Sequence, residues 1–491
     1  MIVVAWVLSG AAAPGWGADR PDVLRATLAN GLRVVIVPDR LAPVAAIQVN
    51  FLVGSNEAPE GFPGMAHAQE HMMFRGSPGL SANQLGSLIA ALGGDFNADT
   101  QQTVTQYVST VPAEALDLVL HIEALRMQGT LDSEALWEAE RGALEQEVAQ
   151  DLSNPMYIFY SRLLAEMFAG TPYAHDALGS RPSFQQTTGA MLKRFHDSWY
   201  VPNNAILVIA GDVDPTRTLG RVKELFGPIP SRPLPPRPAV RLHPLQPSAI
   251  HLETDLPYGL AVLSYRMPGY LSPDFASGQV LADVLSSQRA SLYELVPEGK
   301  ALFTDFNTNT LPEAGLAMAV GGFPHGGDGS ALLAEMKGVI ADYRKSGVPP
   351  DLVEAAKRHE IAGAAFRTNS VSGLASEWSQ ALAVEGRTSP DDSLEAIRRV
   401  TAADVDRVAR EYLKEETAIS ALLTPQPSSK PTAAKNYVRG KESFTPSRAE
   451  AVALPEWAKD ALAPPPVPTS RVDPTVTTLP NGIRLIVQPE A

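Results

Sequence analysis

The chain has 491 residues, and its composition of 45% hydrophobic and 19% charged residues is typical of a globular protein with roughly two to four domains. A net charge of −14 without a long basic tract argues against nucleic-acid binding. Because the chain contains no cysteine, disulfides and thiolate metal sites are excluded, and any metal ligands must be nitrogen or oxygen atoms.

Residues 1–18 form an apolar segment that becomes rich in glycine and alanine towards Ala18. This pattern indicates the core and cleavage region of a secretory signal, although a basic region at the start is missing. The alternative is an apolar tail without that role. The segment is too short to span a bilayer, and no later stretch approaches the length of a transmembrane helix. We therefore expect a signal peptide and a periplasmic or secreted protein without a membrane span.

The first predicted elements are β-strands. An Asn30-Gly31 turn between two β-type runs predicts a hairpin, and a further strand is expected over residues 44–53. A glycine-bounded stretch from Pro63 to Gly76 is then predicted to be a helix. A second helix is expected over residues 81–92, where two glycines end it.

The helix predicted from Pro63 to Gly76 contains His67 and His71. Residues four apart project about 40° apart on one helix face, so the two imidazole rings can converge on one ion. Glu70 shares that face, where it can bind the ion or take a proton from water. The order His-x-x-Glu-His inverts the better-known His-Glu-x-x-His zinc motif. Two surface histidines with an unrelated glutamate are the alternative interpretation.

A third ligand is expected from the amphipathic run Asp132 to Ser153, which predicts a helix capped by Asp132 or Ser133. Glu140 and Glu147 lie two turns apart on one face of this helix, whereas Glu145 points elsewhere. A charged helix face that is merely solvated is the alternative.

With Glu140 and Glu147 following the histidine motif at a long interval, the chain resembles the pitrilysin/insulinase family of zinc metallopeptidases, which includes the mitochondrial processing peptidases. The resemblance implies that His67, His71 and Glu147 bind zinc. It also implies that Glu70 activates water and that Glu140 supports the site. The expected reaction is hydrolysis of peptides or unfolded segments inside a chamber.

The stretch from Asp95 to Val111 is rich in β-forming residues and is predicted to be one long strand. In the family that the chain resembles, a Gly-x-x-Asn-Ala strand lies at a sheet edge beside the zinc, and an extended substrate pairs with it. Gly94, Asn97 and Ala98 match this pattern, which implies that they bind the peptide substrate. An ordinary interior strand with polar residues facing solvent is the alternative.

An internal repeat predicts the domain organisation. A helix from Thr401 to Tyr412 and the strand after it repeat the pattern that starts at Thr188, at a constant offset. We expect an α+β protein of two homologous domains, each a mainly antiparallel sheet packed with helices. The expected bounds are a zinc-binding domain over 19–230, a linker over 231–248, a domain without metal over 249–425, and a Pro-rich linker over 426–470. Residues 471–491 repeat the opening hairpin and predict the first strands of a truncated next repeat.

Active relatives commonly carry an Arg and a Tyr, seven residues apart, that reach the substrate at the zinc. Val296 and Phe303 occupy the corresponding positions here, and neither can supply a charge or a phenolic donor. The resemblance therefore implies that a second half-chain or a partner subunit supplies the pair. The expected function is a zinc endopeptidase, and the alternative is a non-catalytic structural or peptide-binding subunit of the same family.

Overall fold

The computed structural model describes residues 22–426, 453–459 and 474–488. The predicted signal segment over residues 1–18, and most of the linker predicted over 426–470, lie outside these described ranges. Two larger sheets, one of six strands and one of five, divide the main range into two units. This α+β architecture confirms the predicted fold class, whereas the domain bounds given above stay predictions.

The elements of the first unit begin with a hairpin and end with a helix after the last strand. In chain order they are β1 (Leu24–Thr27), β2 (Arg33–Pro38), β3 (Val44–Phe51), α1 (Met65–Met72), β4 (Gly76–Ser77), β5 (Leu80–Ser81), α2 (Ala82–Leu92), β6 (Asp95–Thr100), β7 (Thr105–Pro112), α3 (Leu116–Gln128), α4 (Glu134–Asp151), α5 (Pro155–Met167), α6 (Arg181–Gln186), α7 (Gly189–Trp199), β8 (Ala205–Gly211) and α8 (Pro215–Phe226).

The second unit follows an irregular segment over residues 230–247. Its elements are β9 (Ser248–Thr254), β10 (Tyr258–Pro268), α9 (Phe275–Ser286), α10 (Ser291–Glu294), β11 (Phe303–Thr310), β12 (Ala314–Pro324), α11 (Gly329–Ser346), α12 (Pro350–Arg367), α13 (Val371–Ser379), α14 (Pro390–Arg399), α15 (Ala402–Tyr412) and β13 (Ile419–Pro425). A π-helical turn over Gln380–Val384 extends α13, and short 3-10 turns lie at Ser55–Glu57, Ala113–Ala115, Pro172–Ala174, Pro202–Asn204 and Glu415–Thr417.

The two sheets have the same strand order apart from one added strand. The first runs β1-β2-β8-β3-β7-β6 and the second runs β11-β12-β10-β13-β9. In each, the last strand of the unit pairs in parallel with the first long strand, β8 with β2 and β13 with β9. The other pairs are antiparallel. This shared topology agrees with the internal repeat in the sequence.

Each unit packs one of its helices against the sheet of the other unit. Leu374 and Trp378 of α13, in the second unit, pack against Val35 and Val208 on one face of the first sheet. In the other direction, α5 of the first unit packs its buried apolar side chains beneath the second sheet. Each sheet therefore buries one of its faces under a helix of the other unit, so apolar burial holds the two units together.

The prediction of one long strand from Asp95 to Val111 is wrong. The segment forms a hairpin in which β6 pairs antiparallel with β7, and Thr100 lies opposite Thr105. The turn over residues 101–104 has the sequence Gln-Gln-Thr-Val, without the glycine, proline or Asn-Gly pair that usually marks a reversal. Because the residues before and after this turn have high β-propensity, the sequence did not indicate the reversal. Strand β6 is nevertheless one of the two edge strands of the sheet, as the resemblance implied.

Two short segments near the end of the chain are also described. In the first, α16 (Glu456–Lys459) lies against the first unit, where the rings of Trp457 and His121 are in contact with centroids 4.1 Å apart and planes tilted by 33°. The second is a hairpin of β14 (Thr475–Thr478) and β15 (Arg484–Val487). Its register repeats that of β1 and β2, since Thr478 lies opposite Arg484 as Thr27 lies opposite Arg33. Among the helices of the described ranges, none combines the length and apolar character needed to cross a bilayer.

Candidate metal centre

Helix α1, which carries the histidine motif, is buried along its whole length. It is shorter than predicted, running from Met65 to Met72, because Gly64 precedes it with a φ of 88° that favours glycine. A Cβ atom at Gly64 would also lie only 2.6 Å from the Cα of Gly179. His67 is 0% and His71 6% exposed, so the interpretation as two surface histidines is wrong.

The ring of His67 is oriented by the backbone. Its Nδ1 lies 3.1 Å from the carbonyl oxygen of Leu178, and because a carbonyl only accepts, Nδ1 carries the proton. The loop that contains Leu178 is held in turn by Asp176, whose Oδ1 accepts from the Leu178 amide at 3.1 Å and from the Tyr157 hydroxyl at 3.2 Å. The lone pair of the neutral His67 ring is therefore at Nε2.

The ring of His71 is oriented by a carboxylate. Its Nδ1 donates to Oε1 of Glu140 at 2.8 Å, and the other oxygen of Glu140 accepts from Arg75. Burial by itself raises the pKa of Glu140, but the hydrogen bonds from His71 and Arg75 outweigh burial and hold that pKa below its ordinary value. Glu140 is thus an ionised acceptor that holds His71 with its Nε2 on the side opposite Glu140.

Helix α4 supplies the third donor. Ser133 caps this helix, accepting from the Leu136 amide at 3.3 Å. Two turns after Glu140, the side chain of Glu147 brings Oε2 to 3.6 Å from Nε2 of both His67 and His71. Glu145 points away from the site, as predicted, and pairs with Arg181 at 3.0 Å.

The donor atoms fit a zinc ion. Ligand atoms of His67, His71 and Glu147 all lie within 4.8 Å of one another, and no other such group of His, Asp or Glu was found in the described part of the chain. Two donors about 2.0–2.1 Å from a tetrahedral ion are about 3.3–3.4 Å apart, close to the 3.6 Å separations observed here. Two imidazoles and one carboxylate form a common catalytic zinc set, which keeps a further position for water or substrate.

Glu70 is fully buried beside these donors. Its Oε2 accepts a hydrogen bond from the hydroxyl of Thr100, at the end of β6. The phenols of Tyr107 and Tyr200 lie near Glu70, and burial, together with the charge of Glu70, raises the pKa of both phenols. These tyrosines are therefore neutral, and their hydroxyl groups and that of Thr100 lie near the Glu70 carboxylate.

The three residues that the resemblance assigned to substrate binding lie at the sheet edge. Asn97 and Ala98 are in β6, where Asn97 is half-buried and Ala98 faces inward. Gly94 lies just before the strand, where a Cβ atom would come within 2.5 Å of the Thr110 carbonyl oxygen. The structure therefore brings Asn97 and Ala98 to the edge strand, and it gives Gly94 a packing reason to be glycine.

The structure adds three groups that the sequence reasoning missed: the Leu178 carbonyl, Arg75 and Thr100. A backbone carbonyl has no sequence signal, and Arg75 has only its position one turn after His71. Thr100 had a stronger signal, because it continues the inward-facing positions Phe96 and Ala98 with a polar residue.

Val296 and Phe303, at the positions of the missing Arg and Tyr, make apolar contacts in the structure. Val296 packs against the core of the second unit. Phe303 begins β11, and its ring meets that of Tyr258 edge-on with centroids 5.5 Å apart. Neither side chain has a proton to donate to a substrate.

Two family models match the chain. The model described as "Insulinase (Peptidase family M16)" matches residues 33–181, and the one described as "Peptidase M16 inactive domain" matches residues 187–359. The chain belongs to peptidase family M16. All three candidate metal donors and Glu70 lie within the insulinase match, and the inactive-domain match covers most of the second unit.

Relatives of this M16 chain include the zinc protease PqqE of Helicobacter pylori, 25% identical over 418 residues that cover 81% of this chain and 92% of that protein. A crystal structure of a protease from Helicobacter pylori matches with a TM-score of 0.75 and 23% identity, covering 82% of this chain and all of that one.

The first half of the periplasmic protease PqqL from Escherichia coli matches with a TM-score of 0.72 and 17% identity, covering 84% of this chain and 94% of that one. The longer PqqL structure has a TM-score of 0.71, also at 17% identity, and the match covers 96% of this chain but 56% of that one. At such identities the solved structures show the shared fold.

Replacing Glu147 by Ala in the M16 chain should abolish stable zinc binding, because two histidines alone leave an incomplete site. Zinc content after dialysis, measured by elemental analysis, checks this expectation. Glu138→Ala, an exposed position on the same helix, is the matched control and should keep its zinc. Stoichiometric zinc in Glu147→Ala would mean that the third ligand is another residue, with Glu140 or Glu145 the next candidates.

Replacing Glu140 by Gln should have a milder effect, lowering zinc affinity or turnover about 10–100-fold, the range for groups that orient a ligand. The amide oxygen can still accept from His71, but the negative charge that faces Arg75 is lost. Competition of the variant with a zinc chelator, together with its turnover rate, measures both effects. If affinity and rate equal those of the wild type, Glu140 is only a buried structural charge.

Proposed function

We propose that this chain is a zinc-dependent endopeptidase that hydrolyses peptides or unfolded segments. The observation that carries the proposal is that His67, His71 and Glu147 converge on one point. The buried carboxylate of Glu70 lies on α1, the helix that carries the two histidines. The geometry alone favours a metal site. The family and the zinc proteases among the relatives favour peptide hydrolysis as its use.

In this proposal His67, His71 and Glu147 hold the zinc. When bound there, zinc would lower the pKa of water to about 7 and would polarise the scissile carbonyl. Glu70 takes the proton of the attacking water and passes it to the leaving amine. The Leu178 carbonyl and Glu140 fix the two imidazole rings, so the site does not need to rearrange when the substrate arrives.

We propose that the substrate binds in an extended conformation along β6. This strand is the edge of the first sheet, so its outer hydrogen-bonding groups can pair with an added strand. Asn97 and Ala98 lie on the strand, and Gly94 lies at its entrance. A folded protein does not offer a free extended segment, and therefore peptides and unfolded segments are the expected substrates.

We further propose an exported, periplasmic protein whose active form includes a second half-chain or a partner subunit. The apolar segment over residues 1–18 supports export, and one structural neighbour is described as periplasmic. Val296 and Phe303 support the need for a partner, because neither can replace the missing Arg and Tyr. The domain bounds 19–230 and 249–425 belong to the same proposal.

A non-catalytic subunit is the second candidate, favoured by the inactive-domain match over residues 187–359. Zinc content together with cleavage of a quenched fluorescent peptide separates the two. A peptidase contains zinc and cleaves the peptide, and cleavage stops with a chelator and returns with added zinc. A zinc-containing chain that binds the peptide without any cleavage, even at excess protein and with a partner half present, would identify a binding subunit.

A further inference from the structure

Thr100 is a polar exception on the inner face of strand β6. Phe96, Ala98 and Thr100 are the buried positions of this strand. Phe96 and Ala98 pack in the same apolar core as the alanines of α1. A valine at position 100 would have the same shape as threonine and would continue the apolar pattern. The chain instead presents a hydroxyl group to Glu70.

The hydroxyl of Thr100 meets two requirements of the buried Glu70 carboxylate. A carboxylate that is removed from water needs hydrogen-bond donors to compensate for its lost hydration. A general base must also be held in one orientation, because small displacements lower the rate. Threonine is branched at Cβ and therefore stiff, and its place in a paired strand fixes the hydroxyl further.

The neighbourhood of Thr100 is anchored on the other side of the hairpin. Thr100 lies opposite Thr105, and the hydroxyl of Thr105 donates to the carbonyl oxygen of Val53 at 2.9 Å. The end of β6 is therefore tied to the neighbouring strand and to the segment after β3. Strand β6 also carries Asn97 and Ala98 at the open edge of the sheet.

We propose that Thr100 is a positioning residue for Glu70. Its hydroxyl donates to Oε2 of Glu70 and orients the carboxylate towards the reacting atoms. Because β6 also forms the open edge, one strand both receives the peptide and holds the base. This inference rests on the proposed function and deepens it, since it assigns a role to a residue that does not touch the metal or the substrate.

Thr100→Val removes the hydroxyl with little change of shape, and Thr100→Ser keeps it. In the zinc-loaded full chain, with a partner half present, Thr100→Val should lower kcat for a quenched fluorescent peptide about 10–100-fold, the range for orienting groups. KM and zinc content should not change, because the side chain faces α1 rather than the sheet edge. Thr100→Ser should restore most of kcat. Thr110→Val, on β7 of the same hairpin but on the opposite face, is the matched control.

A second measurement does not depend on turnover. Crystal structures of the zinc-loaded wild type, Thr100→Val and Thr100→Ser should show the Glu70 carboxylate displaced in the valine variant and in place in the other two. An unmoved Glu70 with an unchanged kcat in Thr100→Val would overturn the inference. The inference would also be overturned if Thr100→Ser did not restore kcat. The same holds if the loss of kcat in Thr100→Val were accompanied by a lower melting temperature or by loss of zinc. Absence of zinc-dependent cleavage by the wild type, with a partner half present, would instead contradict the proposed function, and the crystal structures would still decide the role of Thr100.

Discussion

Replacing Glu70 by Gln should leave zinc bound and the fold intact while kcat falls by about 10²–10⁴, the contribution expected of a general base. The substitution is nearly isosteric, and an amide oxygen can still accept the hydrogen bond from Thr100. An amide cannot take a proton from water, so only the proton-transfer step is removed. The loss should therefore appear in kcat, while peptide binding at the sheet edge stays unchanged.

Three measurements on the same preparation test this expectation: zinc content, melting temperature and the kinetics of peptide cleavage. Glu138→Gln, exposed on α4, removes the same charge away from the site and should behave as the wild type. Glu70→Gln with wild-type turnover would remove Glu70 from the mechanism. A variant without zinc would show that Glu70 is needed to hold the metal site together.

The candidate metal donors could be predicted because helix periodicity is local. Residues four apart and seven apart share a helix face whatever the rest of the chain does, so His67 with His71, and Glu140 with Glu147, were visible as pairs. Periodicity alone could not show that α1 and α4 face each other, and the family resemblance supplied that step. The structure brings the two helices together with Glu147 Oε2 at 3.6 Å from both imidazoles.

Of the groups that orient the site residues, Glu140 was implied by the family resemblance, and the others could not be assigned because they depend on contacts between distant segments. The Leu178 carbonyl reaches His67 across a long stretch of chain and has no side-chain signature. Thr100 stands out in the sequence as a polar residue at an inward-facing position of β6, but no sequence pattern indicates that it contacts Glu70 on another element. The packing of α5 and α13 against the sheet of the other unit could not be predicted either. An amphipathic pattern shows which face of a helix is buried but not which element covers it.

The terminal hairpin of β14 and β15 bears on the proposal of a second half-chain or partner subunit. It repeats β1 and β2 in register, yet its apolar side chains are exposed: Ile486 is 62% exposed, whereas Val35, at the corresponding position of β2, is fully buried. In the first unit, Val35 is covered by α13, and β8 pairs along the strand that contains it. A hairpin with these side chains gains most from a further strand and helices of the same kind of unit.

The zinc-loaded chain alone should therefore hydrolyse peptides poorly, and a second half-chain or partner subunit that carries the Arg and Tyr pair should raise the rate. The lost donors at the reacting carbonyl account for about 10²–10³ of the rate, the range for removing a group that stabilises the developing negative charge. Val296 and Phe303 cannot supply them. The rate of peptide cleavage is measured with the chain alone and after mixing with the second half.

The matched control for this experiment is a second half in which the Arg and Tyr are replaced by Val and Phe. It should still bind the chain, because the interface does not depend on those two side chains, but it should give little increase in rate. The expectation fails if the monomeric chain, free of contaminating peptidase, already cleaves peptides at a rate that the second half does not change. It also fails if the control half stimulates as strongly as the intact one, since assembly rather than the Arg and Tyr pair would then be the missing contribution.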